Sequence, residues 1–241
     1  MCYTANHLNL VCTHGRGRGA VTAKKSDQYH HGQLRRALLD TALELATSRG
    51  VHGFTLRELA RQAGVSHAAP YHHFADKAAL MAALALEIFE AFGAALRQAW
   101  DMAPGAPPDR LMAVGAAYVR FAVETPAAFR RMFRPELHES TAPDHAALDV
   151  AGEAAFHVLL DGIAACQEEG SIPPGDPQLI ALTAWSTVHG LATLLLDGLA
   201  GEKKHGALPQ GAQDAVVDGV LQRLKLGLMA RTTPGHPEAA Q

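Results

Sequence analysis

Cysteine is scarce in this chain: Cys2, Cys12 and Cys166 are its three thiols in 241 residues. An odd number at wide spacing fits neither a zinc pattern nor a disulfide framework. Cys166 lies in a helical pattern, where a thiol is expected to behave as a small buried apolar group. No stretch of about 18 apolar residues runs without a charge or a glycine, so no membrane span is expected. The opening MCYTANHLNLVCTHGRGRG lacks a basic start followed by an apolar block, which removes the secretion reading and leaves a cytoplasmic location as the expectation. No HExxH and no CxxC occurs. His72 and His73 are neighbours, about 100° apart on a helix, and cannot easily grip one ion. Neither a metal nor a cofactor is therefore expected. Without strand patterns there is no glycine-rich strand-turn-helix for a nucleotide. No Ser/His/Asp order is recognisable, and the pair Glu168-Glu169 at a helix end reads as solvated. An all-α small-molecule enzyme remains only a remote alternative.

The charge balance is the first positive sign. The net charge is −3, but the first 80 residues hold ten Lys and Arg against five Asp and Glu, and the remainder holds eleven against nineteen. Eight of the 14 histidines also fall in the first 80. A basic head on an acidic body suits a polyanion partner that only the head touches.

The patterning is all-α, with about nine helices and no repeat. Residues 1–28 read as a disordered basic arm, whose GRGRG (Gly15–Gly19) is either solvated or a fragment of a minor-groove arm. From Gln33, apolar residues Leu34, Leu38, Ala42, Leu45 and Ala46 recur at helical spacing up to Gly50. Thr55 opens a second helix, and Glu58 three residues on completes a capping box. Ser66 is expected to cap a third, very short helix to about Phe74, and Asp76 a fourth, long one to about Met102. Pro126 ends a helix begun at Arg110, and AAFRRMF follows it. STAPD (Ser140–Asp144) breaks the chain again before a helix to about Glu169. Further helices span Gln178 to about Leu199 and Ala212 to Met229. The expected organisation is a head over 29–76, a body over 77–230 and a disordered tail over 231–241.

The stretch GVSHAAPYHHFADK, Gly64 to Lys77, explains the basic head. Two helices joined by Ala63-Gly64-Val65-Ser66 form a helix-turn-helix, with Gly64 supplying the turn. The third helix carries His67, Ala68, Ala69, Tyr71, His72 and His73. Small alanines admit close approach to a groove wall. Tyrosine and histidines can hydrogen-bond base edges or phosphates. Ser66, Thr55, Arg57 and Lys77 are the expected phosphate contacts, with helix N-termini welcoming anions.

The run YHHGQLRRALLDTALELATSRGVHGFTLRELARQAGVSHAAPYHHFADKAALMAALA, Tyr29–Ala85, resembles the DNA-binding head of the TetR family of bacterial transcriptional regulators. Its most specific element is GVSHAAPYHHFADKAAL. WSTVHG, with Trp185, His189 and Gly190, and ETPAAFRRMF, Glu124–Phe133, resemble a TetR C-terminal type named for a Trp-His-Gly signature. The resemblance implies a homodimer on a palindromic operator in double-stranded DNA, and a body that encloses a small effector.

Two sets of body residues follow as expectations. Tyr118, Phe121, Phe129, Met132 and Phe133 concentrate aromatics in a stretch with few charges, and Phe156, Leu160 and Trp185 add to them. These suit a flat apolar effector, with His157 and His189 as polar anchors, or they simply fill the core. His189 has a second reading, a satisfied histidine at the dimer interface. Leu182, Leu194 and Leu195, with Val216, Val220 and Leu224, are the expected interface. The expected function is a DNA-binding regulator, a repressor released by a small molecule. The alternative is a helix-turn-helix protein that answers to a protein partner or has no effector.

Overall fold

The computed structural model describes residues 27–133, 144–200, 208 and 210–229, and all bounds below refer to these. Eight α-helices are present: α1 (Asp27–Arg49), α2 (Leu56–Gln62), α3 (Lys77–Met102), α4 (Pro107–Glu124), α5 (Pro126–Met132), α6 (Asp144–Glu169), α7 (Pro177–Leu196) and α8 (Gln210–Leu228). No strand occurs among the described residues. The expected basic arm up to residue 26, with Gly15–Gly19, Cys2 and Cys12, lies outside them. So do residues 140–143 of the STAPD break, the loop at 201–207 and the tail.

The chain divides into two compact units, one of residues 1–92 with 124–153 and one of 93–123 with 154–241. The first unit thus extends past the expected head boundary and takes in α5. Its core is aliphatic. Leu38, Leu39, Ala42 and Leu45 of α1 are sealed, as are Leu59 and Ala60 of α2, Leu80 and Ile88 of α3, and Met132 of α5. Each such leucine contributes about 1.5–3 kcal/mol by leaving water. Helix α1 begins six residues before the apolar periodicity does, because DQYHHG is polar throughout and carries no such signal. Thr55 and Glu58 form the expected capping box: the Thr55 hydroxyl accepts from Glu58 N, and Thr55 N donates to the Glu58 carboxylate at 2.8 Å. The hydrogen bonds that Thr55 N and the Thr55 hydroxyl donate to the Glu58 carboxylate, with Arg49 and Arg61 nearby, hold the Glu58 pKa below its usual value.

The expected third helix is a four-residue 3₁₀ turn, Ala69–His72, and Ser66 does not cap it. Pro70 accounts for this. An α-helix opened by Ser66 would need the residue-70 N–H to reach the Ser66 carbonyl, and proline has none. Ala69 N donates to that carbonyl instead, at 3.0 Å, which tightens the turn to the three-residue period.

In the second unit, Leu111, Ile163, Cys166, Ile172 and Ala181 form a buried cluster. Burial pushes the Cys166 thiol up to about 11, consistent with a small apolar filler. Gly162 of α6 lets Trp100 and Leu111 approach closely; a Cβ there would lie 2.9 Å from the Trp100 ring. Asp176 caps α7, accepting from Gln178 N at 2.9 Å, and Pro177 occupies the first turn.

Helices α3 and α7 are each long and apolar enough to cross a membrane by length and composition. Their charges and glycines are too sparse to disqualify them. More than half of the qualifying stretch of α3 is buried within the protein, as a core helix would be.

Candidate nucleic-acid interface

The turn between α2 and the 3₁₀ segment is built by hydrogen bonds that only a left-handed residue permits. Gly64 has φ 71°. Its N–H donates to Arg61 O at 3.3 Å, and Val65 N donates to Ala60 O at 2.9 Å. This pair is the Schellman closure of α2. The chain then reverses into Ser66 and His67.

Ser66, His67, Ala68, Tyr71 and His72 all lie exposed on this short segment, and Tyr71 leaves 54% of its surface open. Ala69, expected beside them, is buried at 7%, and Pro70 is buried too. Residues 69 and 70 thus take the inner side and 67, 68, 71 and 72 the outer. His73 is half-buried, its ring centroid 6.2 Å from that of Phe74. Thr55 and Arg57 are exposed. Arg61, which the sequence reading passed over, is exposed as well and shares a helix face with Arg57 at i, i+4. That spacing was the signal that could have found it.

Lys77 is partly buried at the start of α3. Its ammonium donates to the Phe54 carbonyl and lies 4.1 Å from the centroid of the Phe54 ring. Asp76 caps α3, accepting from Ala79 N at 2.8 Å. Arg35 and Arg36 of α1 pair with Glu87 of α3, and Arg35 also lies over the Phe74 ring at 5.7 Å.

The expected effector residues fall into two groups. Phe129, Met132 and Phe133 belong to the first unit. Phe129 and Met132 are buried there, and the Phe129 and Phe133 rings meet edge-on at 5.2 Å. Arg131 beside them is buried and donates to Ala46 O at 2.9 Å, near the carbonyl end of α1.

The second unit brings together Tyr118, Phe156, Trp185 and His189. Trp185 Nε1 donates to Tyr118 Oη at 3.1 Å, and Tyr118 Oη lies 2.8 Å from His189 Nδ1. The indole can only donate, so the phenol oxygen accepts from it, and the phenol and the imidazole share the second hydrogen bond. Burial favours the neutral imidazole and the neutral phenol, lowering the His189 pKa and raising that of Tyr118. Phe156 meets the Trp185 ring edge-on at 6.0 Å. Phe156 and Leu160 pack on the buried cluster around Ile163. Phe121 is partly buried, and His157 is exposed.

Of the expected interface residues, Leu182 and Leu194 of α7 are 51% and 46% exposed. Leu195, Val216, Val220 and Leu224 are partly buried. Leu179 on α7 and Leu226 on α8 are also exposed, at 63% and 72%.

An all-helical fold with an exposed, histidine- and tyrosine-bearing turn after a capped helix defines a regulator of the helix-turn-helix class. Family comparisons agree. Residues 38–84 match the model described as bacterial regulatory proteins, tetR family. Residues 111–218 match one described as Tetracyclin repressor-like, C-terminal domain. The tetracycline repressor protein class D of Escherichia coli is 43% identical over 54 residues, 22% of this chain and 25% of that protein. The match thus spans about a quarter of the curated relative's length. A protein of unknown function from Rhodococcus sp. RHA1 is 36% identical, covering 85% of this chain and 100% of its own, with TM-score 0.70. A regulatory protein in the tetR family from Rhodococcus RHA1 is 25% identical, covering 80% and 97%, with TM-score 0.63. The chain belongs to the TetR family of bacterial transcriptional regulators, and its head is that family's DNA-binding domain.

Proposed function

We propose that the protein is a cytoplasmic, homodimeric repressor that a small apolar effector releases from a palindromic operator. The observation that carries this reading is the outer face of the 3₁₀ turn, where Ser66, His67, Ala68, Tyr71 and His72 stand exposed on a rigidly closed turn. Tyr71 and the histidines would read base edges in the major groove, while Ala68 admits close approach. Thr55, Arg57 and Arg61 would position the head on phosphates.

A homodimer is supported by the leucines that α7 and α8 leave in water, Leu179, Leu182, Leu194 and Leu226. A second copy would cover such a face. Two heads on one duplex would then sit about 34 Å apart, or a multiple of it. An effector site in the body is supported by the Trp185–Tyr118–His189 hydrogen-bond chain beside Phe156, which joins polar groups to aromatic surface. The spacing of Trp185, His189 and Gly190 keeps the Trp-His-Gly type as our reading of the body. Helix α3 begins in the head and ends in the second unit, which offers one covalent path for a change in the body to reach the head. The effector can shift the equilibrium only by its difference in affinity for the two states.

Selection of bound duplexes from a random DNA pool tests this reading. The expected product is a palindrome with half-site centres one or two helical turns apart. An asymmetric consensus would sink the two-fold dimer, and no enrichment would sink sequence-specific binding.

A further inference from the structure

We infer that the DNA-reading segment takes up protons when it binds, with His67 and His72 meeting the duplex as imidazolium cations. The inference rests on the head being a DNA-binding unit. From Gln62 to Ala75 the chain holds no Lys, Arg, Asp or Glu. The segment that would face a polyanion thus carries no permanent charge. The groups in it that can become cationic are three histidines, His67, His72 and His73. His73 is half-buried beside Phe74, whereas His67 and His72 lie exposed on the outer side of the turn with Tyr71. Among the described residues, neither exposed ring makes a hydrogen bond or an ion pair. Both are open to a new partner.

The charged groups around the turn leave that partner to the DNA. The flanking cations are Arg57 and Arg61 of α2, both exposed, and Lys77 at the start of α3. Arg35 of α1 lies over the Phe74 ring and pairs with Glu87 of α3. The flanking carboxylates are engaged: Glu58 accepts from Thr55 and pairs with Arg49, and Asp76 caps α3. No carboxylate within the segment competes for a protonated imidazole. An ordinary imidazole changes charge near pH 6.5, and a phosphate beside it favours the charged form. The imidazolium offers two N–H donors, to phosphate oxygens or to guanine O6 and N7. Binding therefore raises the proton affinity of both rings. The added duplex affinity is complete at pH below the free value and is lost as pH rises through the bound one. Each proton taken up changes the affinity by up to about tenfold per pH unit.

The probe is the duplex enriched from random DNA, titrated with the full chain at about pH 6, 7 and 8, with circular dichroism to confirm folding at each. The variant is His67→Gln combined with His72→Gln, which keeps polar side chains that cannot be protonated. The parent should bind at least about tenfold more tightly at pH 6 than at pH 8. Its slope of log affinity against log salt should be steeper at pH 6 by at least about 1. The double variant should lose most of both differences. Binding enthalpies in two buffers of different ionisation enthalpy should report net proton uptake by the parent and less by the variant. Parent affinity that is flat or falls toward pH 6 overturns the inference, since neutral rings then meet the duplex. A pH dependence that survives intact in the double variant overturns it as well and moves the effect to other groups. Should the double variant bind too weakly to titrate, the single variants decide: a smaller pH effect in each supports the inference, and a parent-like effect in either overturns it. A parent with no affinity for any duplex at any of these pH values would instead overturn the DNA-binding reading of the head, and the proton linkage with it.

Discussion

The two units place their polar chemistry on opposite sides of their walls. In the first, histidines, Tyr71 and arginines face water around the 3₁₀ turn, while the core behind them is leucine and alanine. Among the described residues, Arg131 is the buried charged one there, and its guanidinium reaches a backbone carbonyl. In the second unit, Tyr118, Trp185 and His189 satisfy one another in a partly buried chain, and it is leucine that faces water on α7. A surface built to meet a polyanion needs donors outside and a rigid apolar support. A surface built to meet another protein chain needs the reverse. Under the proposed function, DNA meets the first unit and a second copy the second.

The largest effect should come from spoiling the leucine surface. Leu182 is half exposed, so Leu182→Glu costs a lone chain little. In a dimer it would bury an unpaired carboxylate at the centre of the proposed contact. The expected outcome is a monomer by multi-angle light scattering. Loss of the linked second half-site should weaken binding to the selected duplex by about a hundredfold or more. A dimer of unaltered mass would place the interface elsewhere.

The outward face of the head is the next target. Tyr71→Ala and His67→Ala should each cost roughly 1–3 kcal/mol on the selected duplex and less on random DNA. Both side chains are exposed, so thermal stability should stay within about 0.5 kcal/mol of the parent. Equal losses on the two duplexes would mean that the pair only positions the head and reads nothing.

Most of the head was legible because its signals are local. The capping box of Thr55 and Glu58, the glycine at 64 and the apolar spacing of Leu38, Ala42 and Leu45 each act within one or two turns of chain. The 3₁₀ turn was misread as an α-helix because Ser66 is a good cap and Pro70 sits one position too late for it. The proline evidence was present in the sequence and should have outweighed the serine. The division of Phe129, Met132 and Phe133 from Tyr118 and Trp185 between two units was not legible, since no signal local to these helices says which unit each joins. Nor was the contact of Lys77 with Phe54, because the two residues lie far apart in sequence and no local pattern links them.

The buried chain of the second unit can be cut at its centre. Tyr118→Phe removes the hydroxyl that accepts from Trp185 and bonds to His189, leaving both without that partner at nearly constant volume. Loss of one hydrogen-bonded group should lower the unfolding free energy by about 1–2 kcal/mol in urea. The head should keep its duplex affinity, since Tyr118 belongs to the other unit. An unchanged midpoint would show that the chain contributes nothing to the stability of the body.

The smallest effect concerns pH and the same chain. Burial lowers the His189 pKa below the 6.5 of an ordinary imidazole, so the folded state holds this histidine neutral where the unfolded state begins to take up a proton. Stability from this group is therefore complete above about pH 6.5 and is lost as pH falls toward the folded value. The half-exposed position of His189 keeps the effect small. His189→Asn places an amide oxygen near the former Nδ1, where it can accept from Tyr118, but it cannot titrate. Between pH 7.5 and pH 5 the unfolding midpoint of the parent should therefore fall further than that of His189→Asn, with the gap opening below pH 6.5. Parallel losses in the two proteins would assign the acid sensitivity to the other histidines. They would also remove His189 as the neutral end of the Trp185–Tyr118 chain.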